Sequence, residues 1–253
     1  FQMSSPPPVN LTAVIIGTWK AGTTTLRDYI DAHPSACMAR GEPHFFDRNF
    51  HLGFVGLLPR FSHCQGTEDV FGEKTASYLF HPIAAQRIRE LFPTARLIVT
   101  LRDPVDRLHS HWWMERCKGE TQHDFEAWLQ HTTKKLAQGI YHTQLREWFR
   151  HFPPSQMLVL CAEDLFANVT ATLEHVFNFL RLPVPDIPSL TAALAQAQRK
   201  AHRHRDAEGG AGGKEVQGGL GSQSREAALR QAGSGAHRAN AYTQDNAACP
   251  LPA

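Results

Sequence analysis

Four short segments carry residue types able to act on an anionic group and on a hydroxyl. The first, Gly17-Thr18-Trp19-Lys20-Ala21-Gly22-Thr23-Thr24-Thr25, sets a lysine and a run of hydroxyls between glycines. Backbone N–H groups in such a turn, backed by a helix N-terminus, cradle a phosphate or sulfate. Lys20 adds a point charge, and Thr23, Thr24 and Thr25 add hydroxyl donors. The pattern is not Walker A, which needs Lys directly after its second Gly; here Lys20 precedes Gly22. The second segment, Leu101 to Ser110 (LRDPVDRLHS), offers Arg102 at a strand end and Ser110 further along the following helix, a pair suited to a terminal phosphate.

The third segment, Gly41-Glu42-Pro43-His44-Phe45-Phe46-Asp47, interleaves two carboxylates and an imidazole with aromatics, the make-up of an acceptor pocket with a general base. Phe45 and Phe46 are expected to dry that pocket and raise the basicity of Glu42. The fourth, Gly72-Glu73-Lys74-Thr75-Ala76-Ser77-Tyr78, presents Lys74 and hydroxyls at another strand end. Each segment alone has an ordinary reading: a Gly-bearing turn, an Arg-Asp-Pro junction, a solvated Glu, core aromatics. Together they place two anion sites beside a carboxylate and an imidazole.

The elements that must position these groups alternate between strand and helix. Leu11 to Gly17 is a short apolar, β-branched run ending at Gly, the profile of a buried parallel strand. Thr23 to Ala32 follows as a helix with Leu26, Tyr29 and Ile30 on one face and His33-Pro34 as its stop. Val70 to Lys74, Arg96 to Leu101 and Met157 to Cys161 read as further strands. Ala84, Ile88 and Leu91 mark one helix. Asp103, as N-cap, and Pro104, at the first helical position, open another. Tyr141, Leu145, Trp148 and Phe149 form an apolar stripe, and Val169 to Leu180 carries the strongest one. Such alternation predicts an α/β fold, a P-loop-like three-layer arrangement with a mostly parallel central sheet. Residues 1–10 read as a lead-in, 11–188 as the domain, 189–205 as a basic helix and 206–253 as a Gly/Ser/Ala-rich disordered tail.

Composition narrows the partners. The 253 residues hold 26 Lys+Arg against 24 Asp+Glu, a balance that argues against a surface built to grip nucleic acid. Five scattered cysteines without a CxxC pair exclude a dense disulfide scaffold. The pairs His109/His111 and His202/His204 lack a ligand set around them, so packing roles are expected and no metal is. Nothing has the length and apolarity of a membrane span, and any membrane link would run through an anchor before Phe1. Asn10 and Asn168 head glycosylation sequons.

The four segments in this order resemble the Golgi carbohydrate sulfotransferases, in the branch of heparan sulfate and N-acetylgalactosamine 4-sulfate 6-O-type enzymes. The resemblance runs from about Val14 to Pro183 and takes in Gly139-Ile140-Tyr141 through Trp148 and Glu163-Asp164-Leu165. It implies transfer of a sulfonate from 3′-phosphoadenosine 5′-phosphosulfate to a carbohydrate hydroxyl in the Golgi lumen, without a metal. By that resemblance Lys20, Ala21, Gly22, Thr23, Thr24 and Thr25 form the 5′-phosphosulfate loop, with Lys20 on the sulfonate and the leaving oxygen. Arg102 and Ser110 hold the 3′-phosphate. Glu42 is the general base, and His44, Asp47 and Lys74 line the acceptor pocket. The sequence departs from the family pattern in Ala21, in Thr24, and after Pro188, where the basic Gly-containing loop that closes over the nucleotide has no counterpart. Gln198 to Arg205 is basic without matching it. Two other readings are a magnesium-dependent P-loop kinase, which calls for an acidic residue where Arg102 stands, and a catalytically impaired nucleotide- or glycan-binding relative.

Overall fold

The computed structural model describes residues 9–196 and 199. Five parallel strands form one sheet: β1 (Ala13–Gly17), β2 (Ala36–Met38), β3 (Val70–Lys74), β4 (Arg96–Leu101) and β5 (Met157–Cys161), in the order β2-β3-β1-β4-β5. Four of the five runs agree with the sequence reading, β1 beginning two residues later than expected. β2 has only three residues and was not foreseen, because so short a run carries no period.

Side chains alternate across the sheet into two cores. Val14 and Ile16 of β1 and Leu97 and Val99 of β4 face one side. There they meet α2 (Ala84–Leu91) and α6 (Tyr141–His151) through Ile88, Trp148 and Leu145. Ala13, Ile15 and Ile98 face the other side, against α1 (Thr23–Asp31) and α8 (Val169–Leu180) through Leu26, Ile30, Leu173, Val176 and Phe177. Burial on both faces explains why the strands read as unbroken apolar runs.

The chain leaves β1 toward β2 and β3 on one side, then crosses to β4 and β5 on the other. Connections therefore diverge at the adjacent pair β1 and β4, the switch point at whose carboxyl ends open α/β sheets bind ligands. Both anion segments emerge there. After β4 comes α3 (Pro104–Cys117), capped by Asp103, whose carboxylate accepts from the Val105 and Asp106 N–H groups at 2.9 and 3.0 Å. Two short helices unread in the sequence, α4 (Phe125–Gln130) and α5 (Thr133–Ala137), lead to α6. After β5, α7 (Ala162–Ala167) precedes α8.

A helix begins at residue 187 and is described through 196, where the sequence reading places the first part of its 189–205 element. The rest of that element, His202/His204, and the expected tail lie outside the described residues. Cys37 and Cys64 form a disulfide that pins the excursion between β2 and β3. Among the described residues no helix is long and apolar enough to cross a membrane. His109 packs on Trp112 and Phe125, and His111 on Trp19 and Trp128, the packing roles expected of them.

Candidate active site

The turn after β1 is built from backbone conformation. Gly22 sits in the left-handed region, φ 76°, and caps α1 with no side-chain hydrogen bond to the first turn. The leading amides of α1 are thus left open to a ligand, as an anion site requires. A Cβ on Gly22 would fall 2.9 Å from Phe166 Cζ, so only glycine fits. Lys20 also holds a left-handed conformation, φ 65°. Arg102, buried at the end of β4, donates from Nη1 to the Lys20 carbonyl at 3.1 Å and ties the two strand ends together. The Arg102 carbonyl accepts from Tyr141 Oη at 2.8 Å, and Glu163 Oε1 accepts from the Asp103 N–H at 2.9 Å. Through these two bonds the outlying Gly-Ile-Tyr and Glu-Asp-Leu segments both act on one feature, the β4–α3 turn, and fix it in place.

Above this turn lies a cavity of about 320 Å³ walled by Lys20, Gly22, Thr23, Thr24 and Glu42, with Trp19 and Met114 beside them. Glu42 thus returns over the anion loop. Lys74, at the end of β3, donates to Glu42 Oε1 at 2.5 Å and to Thr24 Oγ1 at 3.1 Å. One buried lysine therefore joins the carboxylate to the anion loop.

His44 has φ 53°, a conformation rare for a residue with a side chain, and the surroundings hold it there. Its N–H donates to Thr75 Oγ1 at 3.3 Å, which in turn donates to Glu73 Oε2 at 3.0 Å. The ring sits with Nδ1 3.0 Å from Asp47 Oδ2 and Nε2 3.6 Å from Glu42 Oε2. Each ring nitrogen thus faces a carboxylate, and the closer contact, to Asp47, fixes the ring's orientation beside Glu42. Ser77 Oγ donates to Asp47 Oδ2 at 2.6 Å. Burial alone would raise the Asp47 carboxyl, but hydrogen bonds from His44, Ser77 and the Arg48 N–H outweigh it and hold its pKa down at about 2. Glu73 is fully buried, and loss of solvent pushes it up to about 8 despite bonds from Tyr78 and Thr75. The fold therefore favours its protonated form.

The structure corrects one expectation. Phe45 and Phe46 do not dry the Glu42 pocket: they are 1% and 0% exposed and pack into the core against Phe54, Tyr78 and Phe92. Alternation within a tight turn sends Glu42 and His44 outward and the two rings inward. Of the remaining predicted residues, Ala21 is buried, Thr25 lies in the first turn of α1, and Ser110 is buried in α3. Arg102 and Ser110 are not part of the cavity wall. Trp19, Ser77 and Glu73 were missed as site residues. Each lies inside a motif already singled out, but nothing in one sequence says that Ser77 meets Asp47 or that Glu73 is buried. Among the described residues one group, Cys37, His63 and Cys64, is close enough to be weighed as a metal site, and its two sulfurs are joined.

A family model described as a sulfotransferase domain matches residues 12–207. Heparan sulfate glucosamine 3-O-sulfotransferase 3A1 of Mus musculus is 36% identical over 182 residues, covering 67% of this chain and 45% of that protein. Bifunctional heparan sulfate N-deacetylase/N-sulfotransferase 2 of Bos taurus is 25% identical over 189 residues, 66% of this chain and 21% of that protein. The chain spans about half the length, or less, of the curated relatives it matches. Among solved structures, a sulfotransferase from Alicyclobacillus acidocaldarius superposes with a TM-score of 0.64 at 23% identity, covering 74% of this chain and 90% of that one.

Proposed function

The chain belongs to the sulfotransferase domain family, and from that premise we propose that it transfers a sulfonate from 3′-phosphoadenosine 5′-phosphosulfate to a carbohydrate hydroxyl, with Glu42 as general base. The observation that carries this reading is the Thr24–Lys74–Glu42 chain of contacts, which sets a carboxylate over an open anion loop around one cavity. The donor supplies the sulfonate and a phosphate leaving group. On the protein's side, the uncapped first turn of α1 and Lys20 meet negative charge on the phosphosulfate. Arg102 and Ser110 hold the 3′-phosphate. Glu42 takes the proton of the attacking hydroxyl as the new O–S bond forms and the S–O bond to phosphate breaks. His44, oriented by Asp47, stands beside that carboxylate and contacts the acceptor, and Lys74 fixes Glu42 in place.

A sulfonyl group carries less charge than a phosphoryl group, so a lysine and preorganised amides suffice to stabilise its transfer. Arg102, where a kinase would place a carboxylate for magnesium, weighs against the phosphotransferase reading. The carbohydrate acceptor is supported by relatives named for heparan sulfate. A Golgi lumen is part of the same proposal, and the Cys37–Cys64 disulfide suits an oxidising compartment. Mass-spectrometric screening of carbohydrates for gain of sulfonate, with the donor present, tests the reading. A sulfonated glycan supports it, and sulfonation confined to non-carbohydrate hydroxyls contradicts it.

A further inference from the structure

Residues 39–69 leave the sheet between β2 and β3 and carry Glu42, His44 and Asp47 with them. Two ties close the neck of this excursion. Cys37, in the middle of β2, is joined to Cys64 at a sequence separation of 27, and the Arg40 N–H donates to the Arg60 carbonyl at 3.0 Å. The anion loop lies outside the closed loop and is shaped by β1, α1 and Arg102. A crosslink of this span restricts the freedom that the loop would gain on opening. Without it, residues 41–47 rely on the contacts to Lys74, Thr75 and Ser77 and on the packing of Phe45 and Phe46.

The two sulfurs differ in their surroundings. Cys37 is buried, whereas Cys64 is half-buried and followed by the exposed Gln65 and Gly66. The His63 ring stands against the buried sulfur, with Nε2 3.4 Å from Cys37 Sγ and 3.9 Å from Asp31 Oδ1. Both neighbours of Nε2 are acceptors and Nδ1 has no partner, so Nε2 is the nitrogen suited to carry the proton. Asp31 ends α1, and its Oδ1 also accepts from the Met38 N–H at 2.7 Å, which fixes that carboxylate beside β2. A donor at the sulfur that must leave stabilises the thiolate as it forms, and a better leaving thiolate speeds exchange. A crosslink that only braces the fold gains nothing from such a neighbour.

We propose that the Cys37–Cys64 bond is a redox switch on the acceptor segment, opened by a dithiol with His63 assisting. A thiolate of the dithiol attacks the more accessible Cys64 Sγ. The Cys37–Cys64 bond breaks, and its electron pair goes to Cys37 Sγ beside His63 Nε2. The second sulfur of the dithiol then displaces Cys64 and closes on the first. The dithiol is oxidised to a disulfide, and its two protons end on Cys37 and Cys64. Reduction loosens residues 41–47 and leaves residues 17–25 in place, so acceptor binding is lost while nucleotide binding is kept. The inference rests on the reading of residues 41–47 as the acceptor segment and adds its regulation.

The full chain is compared before and after treatment with dithiothreitol. Alkylation followed by peptide mass spectrometry should show Cys37 and Cys64 freed together. Hydrogen exchange across residues 41–47 should then quicken by about tenfold or more. Exchange across residues 17–25 and the calorimetric affinity for 3′-phosphoadenosine 5′-phosphate should hold at their oxidised values. His63→Gln should slow the release of the two thiols by about three- to tenfold with the melting temperature of the oxidised form unchanged. A role in folding alone would move the melting temperature and leave the rate. Cys37→Ala with Cys64→Ala should resemble the reduced parent and respond no further to the dithiol. Unchanged exchange across residues 41–47, equal loosening of both segments, a His63→Gln variant reduced at the parent's rate, or a double variant that still responds each overturns the inference. If carbohydrates take up sulfonate equally well before and after reduction, the switch falls and the function stands. If none takes it up although residues 41–47 loosen as expected, the acceptor reading falls and the redox response of the segment stands.

Discussion

The anion loop and the acceptor segment face each other across one cavity, yet they are made in different ways. Residues 17–25 take their shape chiefly from the backbone: a strand that ends, a glycine in a left-handed conformation, and a helix that starts uncapped, with Arg102 holding the Lys20 carbonyl. Residues 41–47 gain their shape from afar. His44 is held through Thr75, Asp47 through Ser77, and Glu42 through Lys74, partners 30 to 32 residues away in sequence. A backbone-built site tolerates loss of a side chain and fails on backbone change. A network-built site fails one contact at a time and responds to pH.

The largest difference should appear at the two lysines. Lys20→Ala removes charge from the developing leaving group and should slow turnover by about 10²–10³-fold, the usual loss for one transition-state donor, with melting temperature unchanged. Lys74→Met, by contrast, strands Glu42 and Thr24 and should move both turnover and the acceptor KM. Steady-state kinetics with donor and acceptor varied in turn separate the two. Equal effects on every parameter would erase the distinction.

Glu73 sharpens the network side. Its folded pKa of about 8 lies above the ordinary 4.5, so the folded state binds the extra proton. Stability contributed this way is full below the unfolded pKa and is lost as pH rises toward the folded one. The parent should therefore lose up to about 1.4 kcal/mol per pH unit over that window, and Glu73→Gln should flatten the slope. Urea melts at several pH values measure it, and parallel slopes would refute a neutral Glu73.

Gly22→Ala tests the backbone side. Forcing a Cβ into a left-handed turn against Phe166 should cost about 1–3 kcal/mol of stability and weaken nucleotide binding, as read by thermal melts and calorimetry. Asp47→Asn gives the smallest effect. Asp47 is held near 2 against an ordinary 3.8, so its contribution is present above the unfolded pKa and lost as pH falls through the folded one. Screening by solvent at this half-buried site brings that contribution to about 1 kcal/mol, and the parent's advantage over the variant should vanish between about pH 4 and pH 2.

The same contrast explains what was legible in the sequence. Four strands, the helix behind the anion loop and the Asp103-Pro104 start of α3 were readable, because apolar runs and capping residues act over a few positions. Lys20, Glu42, His44, Asp47 and Lys74 were placed in one site through their motifs, and the structure brings the carboxylate, imidazole and Lys74 together. The inward turn of Phe45 and Phe46 was not readable, since a Glu-Pro-His-Phe-Phe turn has no period to say which side chain faces out. Nor was the raised Glu73 carboxyl, which depends on burial created by elements distant in sequence. β2 and the Cys37–Cys64 pairing belong to the same class: three residues and two scattered cysteines become meaningful only once the sheet edge exists.

General-base transfer through Glu42 is the central claim. Single-turnover transfer from labelled 3′-phosphoadenosine 5′-phosphosulfate to an accepted glycan, compared between the parent and Glu42→Gln, tests it directly. Glutamine keeps the shape and the hydrogen bond from Lys74 but cannot take the proton. Transfer should slow by about 10²–10⁴-fold while nucleotide affinity stays as in the parent. A Glu42→Gln rate within about threefold of the parent, far short of that general-base range, would contradict the claim and pass the role to His44.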